Sequence, residues 1–242
     1  MAKRDRSQLN EFRREYNKRY IYKIEPQDER PPRLLGNNGV WYLCRSLQRS
    51  RLMFDAFVSC LNRKHRLVSY LVLRSRFEVT GAAAYFLKWL RCFYQQKITF
   101  EQLDERLKSL LLGCKSTSVQ FTETKAVNVL TLISAADEVF SEMAGSEHAI
   151  YKECYDFLSE FCHPNCMGQT ICDEIGDDWS VKFPVQPEFT KSDVGSLVPK
   201  LFISCRLFFW VYDQAFSLLD QHESLPRILV KFGVRPGIGN VW

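Results

Sequence analysis

Arg74 and Glu78 stand four residues apart in VLRSRFEVTGAAAYFLKWL, and Ser159 and His163 stand four apart in YDFLSEFCHPN. A helix brings residues at that spacing onto one face. The face of Arg74 and Glu78 also holds Tyr70, Leu71, Phe77 and Tyr85, which are core-type residues. A charged pair turned inward is costly unless its donors and acceptors are met. Ser159 and His163, on the face of Tyr155, are the groups best suited to meet it. The expectation is that two distant helices pack face to face and that Arg74, Glu78, Ser159 and His163 form one buried polar cluster. A guanidinium holds anions and an imidazole exchanges a proton near neutral pH, so the cluster has the parts of an acid–base site. It reads first, however, as a satisfied polar core that fixes helix register, because perturbed buried groups are often structural.

Other residues offer weaker chemistry. Cys154, Cys162, His163, Cys166 and Cys172 fall within nineteen residues and are of the ligand types that zinc takes. They lack a repeated Cys-x2-Cys spacing, and five further cysteines sit in helical stretches, so no metal is expected. Asp173, Glu174, Asp177 and Asp178 offer oxygen ligands for a hard cation. No phosphate-cradling loop accompanies them, and a solvated loop is the expected reading. Gly237 and Gly239 form a lone pair with no strand or helix assigned around it, and no cofactor is expected. His65, His148 and His222 sit at a basic junction or near helix ends, where imidazoles are usually solvated. The start of the chain is different. Arg13, Arg14, Lys18, Arg19 and Lys23 alternate with Tyr16, Tyr20 and Tyr22. Cations among stacking rings suit RNA or single-stranded DNA. The same segment also suits docking on a protein through Leu9, Phe12 and Tyr16.

The elements that must position these residues are helices. Leu9, Phe12, Tyr16 and Tyr20 recur at spacings of three and four, so residues 1–23 read as a basic helix. KIEPQDERPPRLLGNNG then breaks the period with three prolines and the turn signal Asn38-Gly39. Residues 1–33 are therefore read as an arm and linker, and 34–242 as the domain. Helices are expected at about 41–62, 65–95, 99–112, 124–144, 147–162 and 194–221. Thr99 and Gln102 have the spacing of a capping box. Pro164 disfavours helical geometry at His163, so a helix should stop there. Residues 165–193 are polar and irregular, with one short extended piece in WSVKFP. The tail from 227 is ambiguous. With six or seven helices and no convincing strand pairing, the fold class is an all-α antiparallel bundle.

VLRSRFEVTGAAAYFLKWL and YDFLSEFCHPN resemble two helices of the HEPN superfamily, an all-α group of nucleotide-binding proteins, and in particular its bacterial members. The first carries Arg, three residues, Glu, then small and aromatic positions; the second carries Tyr, Leu-Ser and His-Pro. The resemblance covers about residues 40–220 and rests on these two motifs. It implies a homodimer and a prokaryotic defence or toxin-type setting. In the superfamily's ribonucleases an Arg separated from a following His by four to six residues makes a metal-independent site. By that resemblance His163 would be the acid or base for attack by a 2′-hydroxyl, and an arginine would steady the phosphate. Here Asp156, Phe157 and Leu158 occupy the arginine positions. Arg74 or Arg76 would have to supply the guanidinium from the other helix. The expectation is a non-catalytic protein that binds RNA or a protein partner. The alternatives are a metal-independent ribonuclease and a structural subunit of a complex.

Composition bounds these readings. Hydrophobic residues make up 46% of the 242, enough for a sizeable core. The net charge of +5 is unevenly spread. Residues 1–76 hold 18 Lys and Arg against 7 Asp and Glu, and the remaining 166 hold 15 against 21. A basic first third attracts phosphate backbones or an acidic protein face. The start has no apolar stretch of the secretory kind, and LVPKLFISCRLFFWVYDQAFSLL is broken by Lys200, Arg206 and Asp213. A cytoplasmic protein with nine reduced thiols and no membrane association is expected.

Overall fold

A computed structural model describes residues 3–25, 31–116, 123–145, 148–185, 187, 189–221 and 227–229. Its helices are α1 (Lys3–Arg19), α2 (Pro31–Arg63), α3 (Arg66–Tyr94), α4 (Phe100–Leu112), α5 (Val129–Ala144), α6 (Ile150–Cys162), α7 (Cys166–Thr170) and α8 (Lys191–Gln221). The strands are β1 (Lys23–Glu25), β2 (Glu174–Ile175), β3 (Val181–Lys182) and β4 (Arg227–Leu229). The all-α bundle expected from periodicity is what the chain forms.

α3 lies at the centre and packs on α2, α4, α5, α6 and α8. Its sequence suits that place. It is apolar nearly all round, as a helix with neighbours on every side must be, and it buries Leu73, Phe77, Val79, Ala83, Ala84, Phe86, Leu87 and Leu90. Gly81 permits the closest approach. A Cβ there would come within 2.9 Å of the Leu132 carbonyl oxygen on α5. At α4 the Thr99 hydroxyl accepts from Gln102 N–H and the Gln102 side chain accepts from Thr99 N–H, the expected capping box. Asn128 caps α5, and Gly145 closes it in the left-handed region. α8 is long and apolar enough to cross a membrane, and half of its most apolar stretch is buried inside the bundle.

Three expectations are corrected. α1 is not a free arm: Leu9, Phe12 and Tyr16 lie in the main core, against Phe54, Phe202, Phe208 and Phe209. α2 begins at Pro31 and runs straight through the turn signal Asn38-Gly39. Tertiary packing overrides the local preference there. A Cβ on Gly39 would lie 3.0 Å from Leu219 Cδ1 and 3.2 Å from Phe86 Cζ, so glycine serves close packing against α3 and α8 rather than a turn. Two short antiparallel strand pairs also form, β1 with β4 and β2 with β3. The extended piece expected in WSVKFP is β3. Residues 26–30 of the expected linker, His222 and the tail from 230, including Gly237 and Gly239, lie outside the described residues.

Candidate functional site

α3 and α6 pack against each other. Tyr151, Tyr155 and Leu158 form the buried stripe of α6, and the Tyr151 ring stacks on Phe77 with centroids 4.5 Å apart. This apolar zipper sets the register that brings the polar residues together. Arg74 Nε donates to Ser159 Oγ at 3.1 Å, and its Nη2 donates to the Tyr155 hydroxyl at 3.0 Å. That hydroxyl donates to Glu78 Oε1 at 3.2 Å, and Arg74 Nη2 stands 3.4 Å from the same oxygen. The guanidinium carbon also lies 5.3 Å from the centre of the Tyr155 ring. Arg74, Glu78 and Ser159 therefore meet as expected, with Tyr155 as a fourth member that the spacing argument did not assign. The cluster lies at the rim of the bundle: the Arg74 side chain is 25% exposed and that of Glu78 33%. Burial, with the Glu78 carboxylate beside it, pushes the Tyr155 hydroxyl above its ordinary pKa.

His163 is not part of this arrangement. It is exposed, and its backbone closes α6 with φ −93° and ψ 153°, donating N–H to the Ser159 carbonyl at 3.1 Å. The imidazole makes none of the contacts that hold the cluster. This corrects the expectation of four groups satisfying each other. The physical reason is Pro164, which takes His163 out of the helical region. The four-residue rule places side chains on one face only while both residues are helical.

Arg76, which with Arg74 is one of the two arginines read as able to supply a guanidinium from α3, is the most deeply buried charge described, at 0% exposure. Two residues of helix turn it about 200° from Arg74, into the contact of α3 with α2 and α8. Its Nη1 donates to the Ser50 carbonyl at 2.6 Å and the Ser50 hydroxyl at 2.9 Å, and its Nη2 donates to Cys205 Sγ at 3.1 Å. The Tyr16 ring lies 5.8 Å away, and the Tyr16 hydroxyl is 2.8 Å from Ser50 Oγ. Among the described residues no carboxylate pairs with Arg76, and its Nε is buried without a partner. Burial raises the Cys205 thiol to about 11, although Arg76 pulls the other way, so the sulfur accepts this bond as a neutral group. The cluster also fastens α1 to the core. The signal for it was in the sequence: a charge inside a helix that is apolar on every side must be buried.

A third polar cluster holds the starts of α3 and α8. Asp193 accepts from Thr190 N–H at 2.9 Å and from its hydroxyl at 2.8 Å, while Asp193 N–H donates to Thr190 Oγ1 at 3.1 Å. The Tyr70 hydroxyl donates to Asp193 at 3.0 Å, and Arg66 Nε lies 3.0 Å from its carboxylate. Burial alone would raise the Asp193 pKa, but the Thr190, Tyr70 and Arg66 donors outweigh it and hold the carboxylate below its ordinary value. Thr190 and Asp193 have capping-box spacing, so this box was open to sequence reading.

The expected nucleic-acid cations face acids of the same chain. Arg13 pairs with Asp55, Lys18 with Glu15, Arg19 with Glu15 and Asp213, and Lys23 with Glu25. Arg14 is exposed. Of the cysteines of zinc-ligand type, Cys154, Cys162 and Cys172 are half-buried and Cys166 is exposed, all as free thiols. Among the described residues no three His, Cys, Asp or Glu side chains are grouped to hold a metal. Compared with protein-family models, with curated proteins and with solved structures, the chain matches none.

Proposed function

We propose that the chain is a non-catalytic helical binding protein, HEPN-like in the pairing of α3 with α6, and that its partner is a protein. The carrying observation is the state of Arg74. Its guanidinium is occupied by Ser159, Tyr155 and Glu78, while His163 stands outside the group. An active site for RNA cleavage needs a guanidinium free for phosphate and an imidazole within reach of the same atoms. Instead the four residues join one α3 face to one α6 face in a single register. A prokaryotic defence or toxin-type setting belongs to the same reading through the resemblance of the two motifs.

A protein partner is favoured over RNA because four of the five cations expected to grip nucleic acid are engaged by carboxylates of the chain. Each of those carboxylates offsets part of the positive field that a phosphate backbone would meet. The test is incubation of the purified chain with structured and single-stranded RNA in the presence of a chelator. Intact RNA and weak retention are expected. Chelator-resistant cleavage that disappears in His163→Ala would overturn the non-catalytic reading. Tight binding with a steep salt dependence, lost on reversing Arg13 and Arg14, would overturn the choice of partner.

A further inference from the structure

α2 keeps one face out of the bundle, and that face has a composition of its own. Trp41, Arg45, Gln48, Arg49 and Leu52 are all exposed, Trp41 at 51% and Leu52 at 62%. At about 100° per residue the five fall within an arc of roughly 100°. Trp41 and Leu52 are about 20° apart round the helix and about three turns apart along it, so they draw a line nearly parallel to the axis. Arg45 and Arg49 flank that line on one side, and the Arg45 guanidinium lies over the Trp41 ring at 4.7 Å. The charges therefore share the face of the apolar side chains. Tyr42, Leu43, Leu47, Phe54 and Phe57 of the same helix are buried in the core.

The face carries no acid. Asp55 is the one Asp or Glu in the sequence of α2, and it pairs with Arg13 and Arg51. It lies about 120° round the helix from Arg49. Cations of other helices are answered within the chain: Lys88 by Glu138, Arg91 by Glu142, Lys108 by Asp104 and Lys152 by Asp156. Neither Arg45 nor Arg49 is in an ion pair among the described residues. Exposed apolar side chains rimmed by polar ones mark contact sites, and Trp and Arg are the residues that most often anchor protein contacts. The line from Trp41 to Leu52, about 16 Å long, matches three turns of a second helix laid along α2. Nucleic acid fits this face less well, since Arg45 already occupies one side of the indole and two cations are few for a phosphate backbone. A bilayer fits it less well too, since two apolar side chains at the ends of the line offer little area to lipid.

We infer that this face of α2 takes an acidic amphipathic helix of another protein. That helix presents two apolar residues about three turns apart to Trp41 and Leu52, with Glu or Asp on the flank that meets Arg45 and Arg49. The inference gives the protein partner of the proposed function a surface and a chemistry, and it rests on that reading.

Selection of random peptides of about 18 residues, displayed on phage, against the immobilised full chain tests it. Enriched peptides should carry Leu, Ile or Phe about eleven residues apart, with Glu or Asp between, and should gain helix content when bound. For a synthetic peptide of that kind, Trp41→Ser in the chain should weaken binding at least about tenfold, with the melting temperature of the chain unchanged. Arg45→Glu with Arg49→Glu should do the same. Replacing the peptide's acids by Lys should restore binding to that variant and remove binding to the natural chain. The dissociation constant of the natural pair should rise with salt. The inference is overturned if no peptide is enriched, if enriched peptides lack acids, or if they bind Trp41→Ser or the charge-reversed chain as tightly as the natural one. Oligouridine retention that Trp41→Ser abolishes overturns it in favour of nucleic acid, and self-association that Trp41→Ser abolishes overturns it in favour of a second copy. Acidic peptides that bind elsewhere on the chain overturn this surface and leave the protein-partner reading standing, while RNA cleavage overturns the non-catalytic reading and leaves this surface untouched.

Discussion

Arg74 and Arg76 leave α3 in nearly opposite directions and meet different solutions to the same problem. Arg74 lies at the rim, partly wet, and has a carboxylate, a phenol and a hydroxyl around it. Arg76 is sealed between α2, α3 and α8 with a backbone carbonyl, a serine hydroxyl, a thiol and an aromatic face. The rim site spends a formal ion pair where solvent screens it and where its worth is modest. The sealed site holds a cation with no described counter-charge, so its hydrogen bonds must offset the desolvation. What matters for stability is therefore the residue with fewer charges around it. A polar cluster that looks like a site because it contains an acid, a base and a hydroxyl need not be the one the fold depends on.

The largest effect should come from Arg76. Truncation in Arg76→Ala leaves a cavity and removes two bonds to Ser50 and one to Cys205, and about 3–5 kcal/mol should be lost in urea unfolding. Arg76→Met keeps most of the volume and removes the buried charge, and should cost less than about 1.5 kcal/mol. Equal losses for the two variants would mean that the charge itself is required, and would break the comparison. At the rim, Arg74→Ala should cost about 1–2 kcal/mol, because its bonds are charge-assisted but partly exposed.

Asp193, unlike Arg76, is a buried charge with a partner of opposite sign, Arg66. Its folded pKa lies below the ordinary value, so its contribution is complete above an unfolded-state pKa of about 3.9. That contribution is lost as pH falls through the folded pKa. Wild-type urea midpoints should therefore drop across that acid range. Asp193→Asn should start lower at neutral pH and flatten part of the drop. A drop of unchanged steepness would mean that other carboxylates account for it.

Much of the fold could be read from residue patterns, for a physical reason that also explains the failures. The long helix around Arg74 and Glu78, the Thr99 capping box and the stop at Pro164 are local decisions, set by neighbours in the chain. The meeting of Arg74 with Ser159 was inferable because an inward charge demands a partner. Tyr155 was placed on the correct face but not given its role, since an aromatic ring reads first as core. Asn38-Gly39 misled because a turn signal records only local preference, and the fit of Gly39 against Leu219 and Phe86 is tertiary. The basic segment at the start read as an arm because its carboxylate partners, Asp55 and Asp213, are distant in sequence. His163 failed at the boundary between two rules: helical spacing assigned its face, and the proline after it cancelled the helix on which that assignment depended.

Arg74, Glu78, Tyr155 and Ser159 meet as one hydrogen-bonded unit from which His163 stands apart. Double-mutant cycles in urea unfolding test it most directly, pairing Arg74→Ala with Ser159→Ala and, in parallel, Arg74→Ala with His163→Ala. Coupling of about 0.5 kcal/mol or more is expected for the first pair, and additivity within about 0.3–0.5 kcal/mol for the second. Coupling of Arg74 to His163 as large as its coupling to Ser159 would contradict the account and return the imidazole to the site.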